Sequence, residues 1–347
     1  MRNFFFLPKY MAVLLPFSFM LVCVIIFAPS GLSLLNSEAM ATFKNIFNGI
    51  FLESIPFVLA GALLSSILHL TIPEHTISRW IPKNPLLAIL FACSIGIVFP
   101  ICECGMVPLV RRLIQKGMPV YMAMVFILAG PILNPVVFGS TYTAFRTHPE
   151  IAYARMGLAL LVSISIGVIL YLTLKESPLR LSNSDKRNTS ITGHQHHPVH
   201  LRNHEHHHSK NRFMAVLVHS ADELFGMGKY LILGCLLTAG IQTMVAKESL
   251  TAIGGHPLGA YAFMMGFSFL LSLCSTSDAF VASTFLPSFS TGSLLAFLIL
   301  GPMLDFKNFM MLLAAFKARF VLFFMFLVLS LVFIFSFLGD QLIQHLN

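Results

Sequence analysis

The sequence has little charge. Only 10% of its 347 residues are Asp, Glu, Lys or Arg, whereas roughly a quarter are charged in an ordinary soluble domain. Hydrophobic residues make up 56%, and they occur in uncharged runs long enough to cross a lipid bilayer as helices. The scarcity of charge excludes an ordinary soluble domain and predicts an all-α, multi-pass protein of the cell membrane in contact with lipid.

Motifs of enzymes and ATP-driven proteins are also missing. The sequence has no G-x-x-x-x-G-K-[ST] phosphate loop, so it does not carry an ATPase of the phosphate-loop type. Its apolar segments contain neither H-E-x-x-H nor G-x-S-x-G, and no histidine accompanies the membrane carboxylates to complete a zinc or nucleophile site. We therefore expect a protein that is not an enzyme; an intramembrane hydrolase or transferase that acts on lipid is an alternative.

Nine apolar segments follow one another along the chain, and their simple count predicts about eight or nine transmembrane helices. The first of them comes after two basic residues and is longer than the apolar core of a cleavable signal peptide, so we expect a retained helix. The segments are 11–29, 47–69, 86–110, 119–141, 154–174, 225–245, 258–286, 293–315 and 320–338.

The formal net charge is +8, and half of it comes from one polar stretch. Residues 175–212 contain seven Lys or Arg and three Asp or Glu, which places this stretch in the cytoplasm by the positive-inside rule. The apolar segments leave no folded basic domain that would bind nucleic acid.

Two parts of the sequence resemble each other. "AGPILNPVVF", from Ala129, matches "LGPMLDFKNF", from Leu300, in a Gly-Pro pair, a leucine and a polar residue. Further pairs recur in the same order at a slowly shrinking distance: Gly61 with Gly234, Cys102 with Cys274, and Tyr153 with Lys317. This pattern predicts two homologous halves; coincidence among similar apolar helices is the alternative.

The repeat defines a domain layout. We expect an N-terminal transmembrane helix and connection at residues 1–44, the first membrane repeat at 45–174, a cytoplasmic, histidine-rich flexible linker at 175–221, and the second repeat at 222–347. Many secondary transporters are duplicated in this way and bind substrate between their repeats near the bilayer midplane. The halves are parallel by simple count, and inverted if the segment around residues 99–108 enters the membrane and returns.

Few ionisable side chains lie within the apolar segments. Such a group costs roughly 3 kcal/mol or more at the centre of a membrane helix, so its presence needs a reason. Glu103 lies in the first half, and Asp278, Asp305 and Lys307 lie in the second. Their neighbours are prolines, glycines and small polar residues, which predicts broken or re-entrant helices that line a substrate pathway. Alternatively, Asp305 and Lys307 form a buried structural pair. The three carboxylates are also candidate proton carriers.

Six cysteines lie in or beside apolar segments, which predicts free thiols rather than disulfides. On a continuous helix Cys102 and Cys104 point about 200° apart and cannot hold an ion together. In a broken segment they fall on one side, and thiolates prefer soft ions. Cys274 of the other half would add a third sulfur. Small apolar side chains that only fill space are the alternative.

The linker contains a histidine tract. Eight of the fourteen histidines lie within fifteen residues, and low hydrophobicity predicts a flexible segment. Imidazole is a common zinc ligand, so a loosely bound zinc or similar ion is expected there and no other cofactor; incidental affinity of a solvated linker is the alternative. The residues are His194, His196, His197, His200, His204, His206, His207 and His208.

The stretch "FPICECGMVPLVRRLIQKGMPVYMAMVFILAGPILNPVVFGST" resembles the signature of the bacterial predicted permease family typified by YraQ and the organoarsenical efflux permease ArsP. "LCSTSDAFVASTF" and "LGPMLDFKN" are similar to the motifs of that family's second half, and the resemblance covers residues 45–338. The matching positions are Cys102, Cys104, Pro131, Asn134, Cys274, Ser275, Thr276 and Asp305.

The resemblance implies an inner-membrane permease that moves a small solute or a thiophilic metal or metalloid species. The arsenical exporters have a serine after the first cysteine of the motif, and this chain has Glu103 there. Some relatives resemble one half of a two-component permease. A companion membrane subunit and a homo-oligomer are therefore the expected partners, and a non-transporting or co-transporting subunit or sensor is the alternative function.

Overall fold

The computed structural model of the chain describes residues 37–71, 81–82, 84–98, 102–174, 228–240, 242–243 and 257–346. The predicted first helix at 11–29 and the histidine tract at 194–208 lie outside the described residues, and both stay predictions. The described part is helical apart from short turns. The helices are α1 (Ser37–Thr71), α2 (Pro85–Val98), α3 (Glu103–Gln115), α4 (Val120–Ala129), α5 (Pro135–Ala144), α6 (Glu150–Thr173), α7 (Gly228–Gly240), α8 (Pro257–Leu271), α9 (Asp278–Ser283), α10 (Thr291–Met303), α11 (Phe306–Ala315) and α12 (Ala318–Leu346).

Four stretches of the described residues are long and apolar enough to cross a membrane: Met40–Ser65, Glu150–Thr173, Thr291–Ala315 and Ala318–Gln341. Shorter apolar helices lie between them in the chain. The protein is therefore an all-α polytopic membrane protein, as its composition predicts. The expected start of the first repeat, residue 45, falls inside α1, because polar turns extend this helix ahead of its apolar run.

The helices of each half pack in the same scheme. In the first half α2 packs on α4 and α4 on α6; in the second, α8 packs on α10 and α10 on α12. The halves meet where α6 packs on α12, α3 on α11, and α5 on α9. The last two contacts are reciprocal, since each joins the third helix of one half to the fifth helix of the other.

Four of the nine predicted segments are divided by breaks, so they are not single straight crossings. The breaks separate α2 from α3, α4 from α5, α8 from α9, and α10 from α11. α8 ends where Ser272 adopts the left-handed region at φ 48°, which cannot continue a right-handed helix. α10 ends at two extended residues, Leu304 and Asp305.

Corresponding breaks in the two halves have the same pattern of backbone hydrogen bonds. The Gly105 N–H donates to the Cys102 carbonyl at 3.1 Å, and the Ser277 N–H donates to the Cys274 carbonyl at 3.0 Å. At the second pair of breaks, Leu133 donates to Ala129 and Leu304 donates to Leu300, both at 2.8 Å. These residues are the ones that the sequence repeat pairs.

Helix crossings also match between the halves. A Cβ added at Gly96 would lie 3.0 Å from the Cα of Gly130, where α2 crosses the end of α4. In the second half, a Cβ at Gly301 would lie 2.8 Å from the Oγ of Ser268, where α8 crosses α10. Small residues permit both close approaches. The matched contacts support the two-repeat organisation, while the predicted domain boundaries stay predictions.

Candidate solute cleft

The first break places Cys102 and Cys104 on either side of a helix start. Cys102 is the extended N-cap residue of α3 (φ −70°, ψ 163°), and the helix begins at Glu103. The two cysteines therefore do not lie on opposite faces of one continuous helix. Their thiols are within hydrogen-bonding reach of each other. Among the two geometries that the sequence allowed, the structure has the broken one.

A small cleft, with space for about one water molecule, lies at this break. Both halves contribute to it: α1 and the start of α3 come from the first half, and the α8–α9 turn and α11 come from the second. The three cysteines that the sequence singled out all reach it. The lining residues are Glu53, Ser54, Phe57, Cys102, Glu103, Cys104, Cys274 and Lys307.

The cleft is not a preformed metal centre. Among the residues that the structure describes, no group of three or more His, Cys, Asp or Glu side chains is arranged to hold a metal ion. All five described cysteines are free, as predicted: Cys93, Cys102, Cys104, Cys235 and Cys274. Of the three cysteines at the cleft, Cys102 and Cys274 are partly exposed and Cys104 is buried.

A buried cluster of three charges lies beside the thiols. The Lys307 Nζ is 3.8 Å from Glu103 Oε1 and 3.6 Å from Asp305 Oδ2, so the ammonium lies between two carboxylates and beyond hydrogen-bonding distance of both oxygens. Glu103 Oε2 and Asp305 Oδ2 have no hydrogen-bond partner in the structure. Because Glu103 is only 2% exposed, its unpartnered oxygen is a strong acceptor at the wall of the cleft.

Two residues that the sequence placed in the substrate pathway are helix caps. The Asn134 Oδ1 accepts the Val136 N–H at 2.7 Å at the start of α5. The Asp305 Oδ1 accepts the Asn308 N–H at 2.6 Å at the start of α11. Each side chain satisfies a backbone donor that a helix start leaves free. Pro131 is buried in the turn before Asn134 and does not line the cleft.

The remaining candidates lie in or next to the α8–α9 turn, and one of them is paired with a cation that the sequence did not single out. Asp278 Oδ2 accepts a hydrogen bond from Arg155 Nη2 at 2.6 Å, and both side chains are buried. Arg155 Nη2 also donates to the Ser275 carbonyl at 3.3 Å. The Thr276 hydroxyl lies 3.4 Å from the Cys274 thiol.

Sequence reasoning missed Arg155 and three α1 residues of the cleft. A signal for Arg155 was available, because the paired stretches "YARMGLAL" and "KARFVLFF" keep an arginine at the same position. Glu53 lies within the apolar segment 47–69 and belongs to the rare intramembrane acids that indicate function. Ser54 and Phe57 carry no pattern of their own.

A helical bundle with breaks at matched positions, and with scarce charges gathered at a cleft between its halves, is the architecture of a membrane transport protein. The ArsP_1 family model, described as "Predicted permease", matches residues 39–340. The chain belongs to this predicted permease family. The protein is thus a multi-pass membrane permease by family, in agreement with the resemblance noted in the sequence.

Two relatives cover most of the chain. It is 42% identical over 301 residues to "UPF0718 protein YcgR" of Bacillus subtilis (strain 168), an alignment that covers 87% of this chain and 96% of the relative. It is 37% identical over 277 residues to the "Putative two-component membrane permease complex subunit" of Streptococcus mutans serotype c, covering 80% of this chain and 88% of the relative. No solved structure matches the chain significantly.

Proposed function

We propose that the protein moves a small solute with a thiophilic centre through the cleft between its two halves. The observation that carries the proposal is the convergence of Cys102, Cys104 and Cys274 on one cleft, beside the buried charges of Glu103 and Lys307. Soft sulfur ligands favour thiophilic metal or metalloid species. A charged solute would find a counter-charge of either sign, because the lysine and the glutamate are held apart.

The proposed role of the protein is transport and not chemistry. The cleft joins thiols to an ion cluster but offers no histidine base within the described residues that line it, so it supports binding and release of a solute. The sequence has no phosphate loop, which leaves an ion gradient or a partner as the source of energy. Glu103, Asp278 and Asp305 stay the candidate proton carriers.

A second candidate function is that of one subunit in a two-component permease. The printed name of the Streptococcus relative supports it. An observation on α1 supports it as well: Glu53 lines the cleft and is exposed on the outside of an apolar helix. Since an acid that faces lipid is costly, a companion membrane subunit that covers Glu53 would stabilise this side of the cleft.

Reconstitution tests both candidates. Purified protein is placed in proteoliposomes, and uptake of Zn²⁺, Cd²⁺ and arsenite is measured for the wild type and for Cys102→Ser, Cys104→Ser and Cys274→Ser. We expect each serine variant to lower the initial rate about tenfold or more, as the loss of a strong ligand would. Cys93→Ser in α2 is the matched control, because Cys93 is buried and does not line the cleft.

Undiminished transport in all three serine variants would contradict the cysteine cleft. Transport by the purified chain alone would contradict the subunit function. If the chain is inactive alone and becomes active with a co-purified membrane partner, the subunit function is favoured instead.

A further inference from the structure

We infer that Arg155 is a positioning residue of the cleft: from α6 of the first half it holds the α8–α9 turn of the second half, and thereby places Cys274 beside Cys102 and Cys104. The inference rests on the proposed function for the importance of the cleft, but the positioning itself can be tested without any solute.

The guanidinium of Arg155 joins three separate elements. Nη1 donates to the Thr141 Oγ1 at 2.7 Å, on α5 of its own half. Nη2 donates to the Asp278 Oδ2 at 2.6 Å and to the Ser275 carbonyl at 3.3 Å, on the other half. The side chain is fully buried. Hydrogen bonds from an ionised donor are roughly twice as strong as neutral ones, so Arg155 is a strong clamp on the turn.

The contacts of Arg155 with the second half lie directly after Cys274 in the chain. Ser275, whose carbonyl Arg155 binds, is the next residue in the chain. The Asp278 N–H donates to the Cys274 carbonyl at 3.0 Å, as does the Ser277 N–H. Fixing Ser275 and Asp278 therefore holds the carbonyl side of the Cys274 backbone, and with it the direction in which the thiol enters the cleft.

The turn needs such a clamp because its own conformation is unfavourable. Ser272 adopts φ 48°, a region that is strained for a residue other than glycine. Its buried hydroxyl has no hydrogen-bond partner in the structure. The six residues between α8 and α9 also lack the continuous backbone hydrogen bonds that the two flanking helices have. Contacts from outside the turn must compensate these costs. Gln242 Nε2 donates to the Leu271 carbonyl at 2.7 Å before the turn, and Arg155 supplies the contacts within the turn and at the start of α9 from the facing half.

Arginine suits this task better than lysine. Its planar fork reaches three acceptors in different directions, whereas a lysine ammonium is a compact point charge on a flexible stem. Arg155→Lys keeps the positive charge next to Asp278 but loses the simultaneous bonds to Ser275 and Thr141. This substitution therefore separates positioning from simple charge compensation.

The test is the chemical reactivity of single thiols. Variants that retain only Cys274, only Cys102 or only Cys93 are purified, and the rate of alkylation by a maleimide is measured with and without Arg155→Lys. We expect Arg155→Lys to raise the rate at Cys274 about tenfold, the equivalent of one charge-assisted hydrogen bond lost from the turn. The rates at Cys102 and Cys93 should change less than about twofold, since Arg155 binds neither residue.

Equal increases at Cys274 and Cys102 would show general loosening and overturn the inference, as would an unchanged rate at Cys274 in folded protein. If Arg155→Lys does not fold, Thr141→Val decides by the same criteria, with a smaller increase of about threefold expected at Cys274 for one lost contact. These rates do not depend on transport. A failed alkylation test would leave the proposed function standing, and failed transport would leave the positioning standing.

Discussion

Two buried ion pairs join the halves of the molecule, and they are built alike but held differently. The first residue of α3, Glu103, faces Lys307 of the second half; the first residue of α9, Asp278, faces Arg155 of the first half. The closest distances are 3.8 Å and 2.6 Å. One cluster is thus open and the other closed, although each pairs an acid at the start of a broken helix with a cation from the opposite half.

The difference follows from the cation and from its surroundings. Arg155 uses its fork to bind Asp278 directly and has other acceptors around it. Lys307 divides one point charge between Glu103 and Asp305 and borders the cleft. Each pair still leaves a buried carboxylate oxygen without a partner, Glu103 Oε2 in one and Asp278 Oδ1 in the other, so the pairs differ in the distance and the number of hydrogen bonds to the cation. Under the proposed function the open pair can interact with a solute, whereas Arg155 and Asp278 hold elements of the two halves together.

The largest expected effect comes from removing the cation of the closed pair, Arg155. Arg155→Ala leaves Asp278 buried without its cation, which should lower the free energy of unfolding by roughly 3–5 kcal/mol. Lys307→Ala should cost about half as much or less, because water in the cleft can replace the ammonium at Glu103 and Asp305 keeps its hydrogen bond from the α11 backbone. The measurement is thermal unfolding of the purified variants in detergent. The double variant Arg155→Ala/Asp278→Ala is the control and should recover part of the loss, since it leaves no unpaired acid.

Equal losses from Arg155→Ala and Lys307→Ala would remove the distinction between a closed and an open pair. A Lys307→Ala variant that is the less stable of the two would reverse it.

A smaller effect should distinguish the first helices of the two halves. A Cβ at Gly61 would lie 2.6 Å from the Cα of Gly105, where α1 crosses α3, so Gly61→Ala must push backbone apart and should cost about 1–3 kcal/mol. At the paired Gly234, a Cβ would lie 3.2 Å from the Cα of Lys307, and a shift of a few tenths of an ångström accommodates it. We expect a loss below about 1 kcal/mol there.

The same unfolding measurement checks this pair. Gly139→Ala is the matched control, because a Cβ there meets nothing within 4 Å. A loss at Gly234 as large as that at Gly61 would mean that the Lys307 backbone is held as tightly as the start of α3, and the second half would then be no more tolerant than the first.

The polytopic membrane fold and the repeat could be predicted from the sequence because both depend on local sequence patterns. Long apolar runs need no tertiary information, and the paired Cys102 and Cys274 recur in order at breaks with the same hydrogen bonds. The partners of the buried charges could not be predicted in the same way. Arg155 lies near the start of an apolar segment, where a charge is usually interpreted as flanking the membrane. Its contact with Asp278 depends on how two helices that are distant in sequence pack.

The candidate site was predictable to a similar extent. Polar residues near prolines and glycines pointed to the breaks, and Cys102, Cys104, Glu103, Cys274 and Lys307 do meet at one cleft. The pattern could not tell a lining residue from a capping residue. Both roles place a small polar side chain at a helix start, and only the direction of the side chain separates them.

The smallest expected effect comes from Asp305, where substitutions distinguish the role of its negative charge from its role as the helix cap of α11. Asp305 accepts the Asn308 N–H through one oxygen and faces Lys307 with the other. Asparagine caps a helix about as well as aspartate does, whereas alanine loses about 1 kcal/mol. Asp305→Asn should therefore unfold within about 0.5 kcal/mol of the wild type, while Asp305→Ala loses about 1 kcal/mol more, like Asn134→Ala at the paired cap. If Asp305→Asn were as unstable as Asp305→Ala, the carboxylate charge would be holding Lys307 in place, and the open pair would be as structural as the closed one.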